Sequence, residues 1–157
     1  MNTKALEKIL KVSEEFFGTQ TDPDQIVIST ESANKLFSIH PDTILYKFNG
    51  EDPIAWSTIV PTSVDTMNKF VSKEISEREL LEIAVKEKKF EALYLCGIFV
   101  LPEFRGKGFG KELSLKGISI LSFGKKVPLY AWTLSNEGED LIKLVSKELD
   151  TEIINRV

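Results

Sequence analysis

The segment Arg105-Gly106-Lys107-Gly108-Phe109-Gly110 constrains this chain more than any other. It follows an apolar run, Leu93 to Leu101, that reads as a buried strand. It precedes a helical pattern from Lys111 to Leu121. A glycine-rich turn between strand and helix lets backbone approach a ligand closely, and the helix N-terminus adds converging N–H groups and positive potential. Such a turn is a natural seat for a phosphate or pyrophosphate, so the chain reads as a binder of a nucleotide cofactor.

The rest of the chain supplies alternating elements around that turn. Leu6, Ile9, Leu10, Phe16 and Phe17 recur at helical spacing and predict an amphipathic helix over 3–17. Gln25 to Ser29 is a short β-branched strand candidate, and 31–38 a short helix stopped near His40-Pro41. Thr43 to Phe48 and Pro53 to Val60 flank Asn49-Gly50-Glu51-Asp52, a hairpin signal. Pro61-Thr62-Ser63 then breaks the pattern. Helices are expected at 63–71 and 76–88, the second opened by Ser76 and Glu79 at capping-box spacing. The charges of that helix, Glu77 and Arg78 among them, read as a solvated face. Beyond the glycine turn come a strand, Val127 to Leu134, a helix, Glu139 to Leu149, and a last strand, Thr151 to Val157. Helices interrupting strands that include a hairpin imply an α/β (α+β) domain. Its sheet should be mixed and mostly antiparallel, with helices covering it.

Composition narrows the function classes. The 157 residues suit one domain with a substantial core. A net charge of −4 gives no support to nucleic-acid binding. The single cysteine, Cys96, leaves no internal disulfide, and neither a signal core nor a membrane-spanning stretch is evident, so the cytoplasm is the expected location. One histidine, His40, excludes a multi-histidine metal site, and no metal is expected.

Spacing discriminates among phosphate motifs. A P-loop needs Gly-Lys followed by Ser or Thr, but Glu112 follows Gly110-Lys111. The dinucleotide fingerprint built on Gly106 and Gly108 would need glycine at position 111, which is lysine. A third template, Arg/Gln-x-x-Gly-x-Gly/Ala, is met in full by Arg105, Gly108 and Gly110. With its flanks, Val100 to Leu113, the block resembles the GCN5-related N-acetyltransferase (GNAT) superfamily. The resemblance is convincing over about residues 92–145.

The resemblance implies one GNAT-like domain over 1–157, with an acceptor-side half, 1–91, and a CoA-binding half, 92–157. It implies acetyl-CoA or another acyl-CoA as co-substrate and direct acyl transfer to an amine. Main-chain groups of Ile98, Phe99 and Val100 would then hold the pantetheine arm. The N–H groups of Arg105, Gly106, Lys107, Gly108, Phe109, Gly110 and Lys111 would line the pyrophosphate, with the three glycines leaving room for it. Arg105 and Lys107 either contribute charge or are solvated. Asn136 matches a family position near the thioester and equally reads as the N-cap of the next helix. The expected acceptor is a small-molecule or protein amine. A second copy of the chain is the expected assembly partner, and neither nucleic acid nor membrane is.

Two usual catalytic groups are not where the resemblance would put them. Cys96 and Gly97 occupy the strand positions where many members carry a glutamate. Lys143 stands where a tyrosine would protonate the departing thiolate. The alternative reading is therefore a non-catalytic CoA-binding module of the same fold. Cys96 reads as core packing rather than a nucleophile. Tyr94 and Tyr130 are hydroxyls for the cleft, Trp56 and Trp132 read as core, and Gly97 marks a bulge that opens its strand.

Overall fold

The computed structural model describes residues 3–17, 24–26 and 29–157, apart from the side chains of residues 16 and 17. In chain order the elements are α1 Thr3–Phe17, α2 Thr30–Ile39, β1 Ile44–Asn49, β2 Asp52–Thr62, α3 Val64–Val71 and α4 Glu77–Glu87. They continue with β3 Ala92–Val100, α5 Phe109–Leu121, β4 Leu129–Ala131, α6 Asn136–Leu149 and β5 Ile153–Asn155. The strands form one open sheet in the order β1-β2-β3-β4-β5. The first three strands are antiparallel and carry most of the ladder, while β3, β4 and β5 pair in parallel over short stretches. The α/β, mostly antiparallel expectation therefore holds. Among the described residues no helix is long and apolar enough to cross a membrane.

Each face of the sheet has its own cover. α5 and α6, the crossovers between parallel strands, bury Leu121, Ile118 and Val145 against Ile59, Leu93, Leu95, Leu129 and Ala131. On the opposite face α2, α3 and α4 bury Leu36, Phe70, Leu80 and Ala84 with Val60, Tyr94 and Tyr130. α1 closes the β2–β3 end of that second face. There Ile9 packs with Trp56 and Phe99, and Ser13 Oγ accepts the Trp56 Nε1–H at 2.8 Å.

Several local expectations are corrected. Of the strand proposed for Gln25–Ser29, residues 25, 26 and 29 are bend or irregular, and Val27 and Ile28 lie outside the described residues. Ser29 instead caps α2, its Oγ accepting the Ser32 N–H at 3.2 Å. β2 does not stop before Pro61 but runs through it, opposite Leu93. β1 reaches only Thr58, so beyond that point one side of β2 is an edge where proline's missing donor is tolerated. His40 lies in the α2–β1 connection, and its Nδ1 accepts the Asp42 N–H at 3.0 Å. The Asn49-Gly50 hairpin forms as expected, with Gly50 at φ +64°.

Candidate functional site

The site begins where β3 and β4 part. They pair only over Leu93–Leu95 and Leu129–Ala131. On the β2 side, Thr58 faces Gly97 while Ile59 faces Leu95, so Cys96 is an extra residue in β3. This is the bulge that Gly97 signalled, and it bends the strand away from its neighbour. β4, meanwhile, follows β5. Arg156 N–H donates to the Ala131 carbonyl at 2.8 Å, and the Asn155 amide bonds both the N–H and the hydroxyl of Thr133. Beyond Leu95 the two strands splay apart, leaving one edge of β3 without a ladder.

Alternation decides which residues serve that edge. Leu101 N–H donates to Ile54 O on β2 at 2.9 Å. In an antiparallel pair a residue's N–H and C=O point to the same side, so Phe99 also faces β2, and Ile98 and Val100 face the splay. The Val100 carbonyl is met there by Arg105 Nε at 2.9 Å. The Phe99 side chain stacks on Trp56, with ring centroids 5.1 Å apart.

The glycine turn closes one end of the splay. Gly106 and Gly108 have φ of +80° and +81°, and a Cβ at either would meet nothing within 4 Å. Backbone conformation therefore requires those glycines. Gly108 is the N-cap of α5 and offers no side-chain cap. The first helical bond there runs from Glu112 N–H to Gly108 O, so the N–H groups of Phe109, Gly110 and Lys111 have no intrahelical partner. Gly110 has a packing role as well. It is buried, and a Cβ there would lie 3.4 Å from Ile98 Cγ2 and 3.5 Å from Leu141 Cδ2. It is a packing joint between β3 and α6.

The cations near the turn are held in several ways. Arg105 folds back on β3, its guanidinium 5.6 Å from the Phe99 ring centre. Lys107 lies over Phe104, and Lys111 reaches Glu148 at 3.4 Å. Phe109 is half-buried beneath Lys47, whose Nζ also pairs with Glu112 at 3.2 Å. On the other bank Ser135, not Asn136, caps α6, accepting the Gly138 N–H at 3.1 Å. Asn136 is the first helical residue and is exposed. Lys143 lines a shallow groove between α6 and β5 with Ser146, Lys147, Glu152 and Ile153.

The face opposite α5 holds what sequence reading missed. Glu77, assigned to a solvated face, is only 7% exposed. Its Oε1 accepts the Ile26 N–H at 2.7 Å, and its Oε2 accepts the Tyr94 hydroxyl and the Cys96 thiol, the latter at 3.8 Å. Burial pushes its carboxyl up, while these donors and the nearby Arg156 oppose the shift. The signal was present in the sequence. Counting back from the buried Leu80, Leu81 and Ala84 at helical spacing lands on Glu77. Arg156, the first residue beyond β5, is 8% exposed, and its guanidinium lies 4.5 Å from the Phe70 ring centre and 4.6 Å from that of Trp132. Trp132 is thus half-exposed, with a cation stacked on it, rather than simple core.

Other expected groups turn inward. Tyr94 is fully buried against Glu77, and Tyr130 shares a 2.7 Å hydrogen bond with Thr62 Oγ1, so neither hydroxyl faces the unpaired β3 edge. The Cys96 thiol is pushed well above its usual range, by burial first and then by the Glu77 charge, and so stays protonated at neutral pH. Among the described residues no three His, Cys, Asp or Glu side chains group as a metal site.

No curated protein and no solved structure matches the chain. Residues 6–122 match the model of the acetyltransferase (GNAT) family. That match takes in α1 through α5, and with them the bulged strand and the glycine turn. The chain therefore belongs to the GNAT family of acetyltransferases.

Proposed function

We propose that this protein transfers an acyl group, acetyl in the first instance, from acyl-CoA directly to a primary amine. Acyl-CoA is the co-substrate of the family to which the chain belongs. The observation that carries the reading is one juxtaposition. An uncapped helix N-terminus, entered through two glycines of positive φ, lies beside a strand edge with no ladder. The N–H groups of residues 106–111 suit a pyrophosphate, each amide to a charged oxygen contributing roughly 1.5–3 kcal/mol, whereas the Arg105 N–H expected among them is held by the Pro102 carbonyl at 3.3 Å. Ile98 and Val100 suit a pantetheine arm lying along the edge as an added strand. Arg105 is placed to exchange the Val100 carbonyl for a phosphate when the arm arrives. Asn136 stands on the opposite bank at the start of α6.

The bound thioester supplies the acyl group, and the chain must supply a neutral amine. A lysine-like ammonium needs about 4–5 kcal/mol for deprotonation at pH 7. Glu77, a buried carboxylate raised by burial and touching Cys96, has the character of a base beside β3. It stands in for the glutamate missing from β3.

The decisive test is Gly108→Glu. The new side chain projects into open space, so the fold persists with a strain of about 1–2 kcal/mol. Its carboxylate would occupy the anion seat, and acetyl-CoA binding by calorimetry should be lost. Unchanged affinity in a folded variant would refute the assignment. A non-catalytic CoA-binding module remains the second reading, favoured by Cys96 and Lys143 at the two usual catalytic positions. Tight acetyl-CoA binding with no thiol release across an amine panel would establish that one.

A further inference from the structure

We propose that the acceptor is an amine that also carries a carboxylate, an amino-acid-like zwitterion, whose carboxylate is read by Arg156 and whose ammonium is met by Glu77. This rests on the acyl-transfer reading above. It starts from an unmet donor. Arg156 Nη1 is buried and has no hydrogen-bond partner among the described residues. A guanidinium cannot shed its proton to relieve burial, so an unmatched one in a protein interior calls for an anion. The one buried carboxylate nearby, Glu77, feels the Arg156 charge, but no ion pair joins them. Its oxygens serve Ile26, Tyr94 and Cys96 instead.

The two charges stand on opposite banks of the splay. Glu77 touches Cys96, the bulged residue of β3. Arg156 stacks on Trp132, the first residue beyond β4. Both belong to the sheet face covered by α3 and α4. Cys96 and Trp132 are each part-exposed as residues, so the two charges lie just beneath the surface at the two banks. A ligand bridging the banks meets a negative pole on the strand whose edge suits the thioester arm, and a positive pole on the far bank. That polarity orients the amine toward the reacting carbonyl. Phe70 and Trp132 meet edge to face, 73° apart, and the guanidinium rests in the corner they form, which restricts it for a two-pronged carboxylate bond.

The step balances. Glu77 takes one proton from the ammonium, and the nitrogen lone pair forms the C–N bond as the C–S bond breaks. The second proton goes to the departing thiolate, giving CoA thiol. Glu77 then returns its proton to solvent.

The test pairs each acceptor with its amide. Glycine, β-alanine, γ-aminobutyrate and the common L-amino acids are titrated calorimetrically beside their primary amides, without CoA. Thiol release from acetyl-CoA is then measured on the same panel. At least one acid should bind and turn over with a preference of about 100-fold over its amide. Arg156→Met should abolish that preference through KM, with acetyl-CoA affinity unchanged. If that variant fails to fold, Arg156→Lys keeps the charge but not the fork, and should raise KM for the acid about 10-fold while leaving the amide unmoved. Equal use of acids and amides, a preference that survives in Arg156→Met or is undiminished in Arg156→Lys, or no binding by any acid would overturn the proposal. Acid binding that depends on Arg156 without any acyl transfer would keep this site and remove the acyltransferase reading. Turnover of amides and acids alike would do the reverse.

Discussion

Gly117 fixes how closely α5 sits on the sheet, and with it where the glycine turn stands relative to the β3 edge. A Cβ at this buried position would lie 2.6 Å from Ile59 Cδ1 and 3.5 Å from Leu45 Cδ1. Ordinary carbon contacts are about 3.5–4.0 Å, so Gly117→Ala forces either the Ile59 methyl or the helix to move. Ile59 has little freedom, being fully buried and paired with Leu95 beside the bulge. Overpacking of this kind costs about 1–3 kcal/mol. Alanine returns about 1 kcal/mol of helix propensity. The net loss should therefore be roughly 0–2 kcal/mol, at about 2–4 °C of Tm per kcal/mol for a chain of this size. Ile59→Val alone should cost about 0.5–1.5 kcal/mol. In the double variant the overlapping methyl is gone and alanine keeps its propensity gain. Its stability should return to within about 0.5 kcal/mol of wild type; at the middle of both ranges the single losses sum to about 2 kcal/mol, a coupling of that size where independent sites add to within about 0.3–0.5. Urea unfolding of the four proteins measures this directly. Additive losses, or a Gly117→Ala protein more stable than wild type, would mean that α5 does not ride on Ile59 as described. Acetyl-CoA affinity should follow the same pattern, weakening in Gly117→Ala and recovering in the double variant.

Two further predictions concern the buried cluster. Glu77 has a carboxyl raised by burial, so the native state holds its proton more tightly than the unfolded chain, where the value is about 4.3. The resulting stabilisation is complete below the unfolded value and is lost as pH rises through the folded one. Relative to Glu77→Gln, the wild type should lose stability across that window and then level off; Tyr94 and Cys96, which face the carboxylate, do not change charge there. A flat or rising difference would contradict the burial argument. Cys96 should react with iodoacetamide at pH 7 at least about 10-fold more slowly than a free thiol, because its thiolate is suppressed by burial and by the Glu77 charge. Glu77→Gln should speed that reaction, and alkylation of wild type at the free-thiol rate would show the cluster to be open.

The parts of the site legible in the sequence are those with local causes. Gly106 and Gly108 are glycine because their own φ demands it, so the turn announces itself in six consecutive letters. The same holds for Gly50 in the hairpin and for the Ser76–Glu79 capping box. Gly97 marked the bulge because a missing side chain is where a strand most easily takes an extra residue. The misreadings have non-local causes. Pro61 stays in β2 only because β1 has already ended beside it. Asn136 lost the cap to Ser135, since either residue type can cap and tertiary placement of the chain leaving β4 decides between them. Glu77 and Arg156 are the extreme case. Neither is buried by its own neighbours in sequence. Ile26, Tyr94 and Cys96 converge on one, Phe70 and Trp132 on the other, and both sets belong to the core of one sheet face. In the function proposed here, a motif of glycines names the nucleotide end of the site, while the proposed acceptor end rests on residues that only the folded chain makes neighbours.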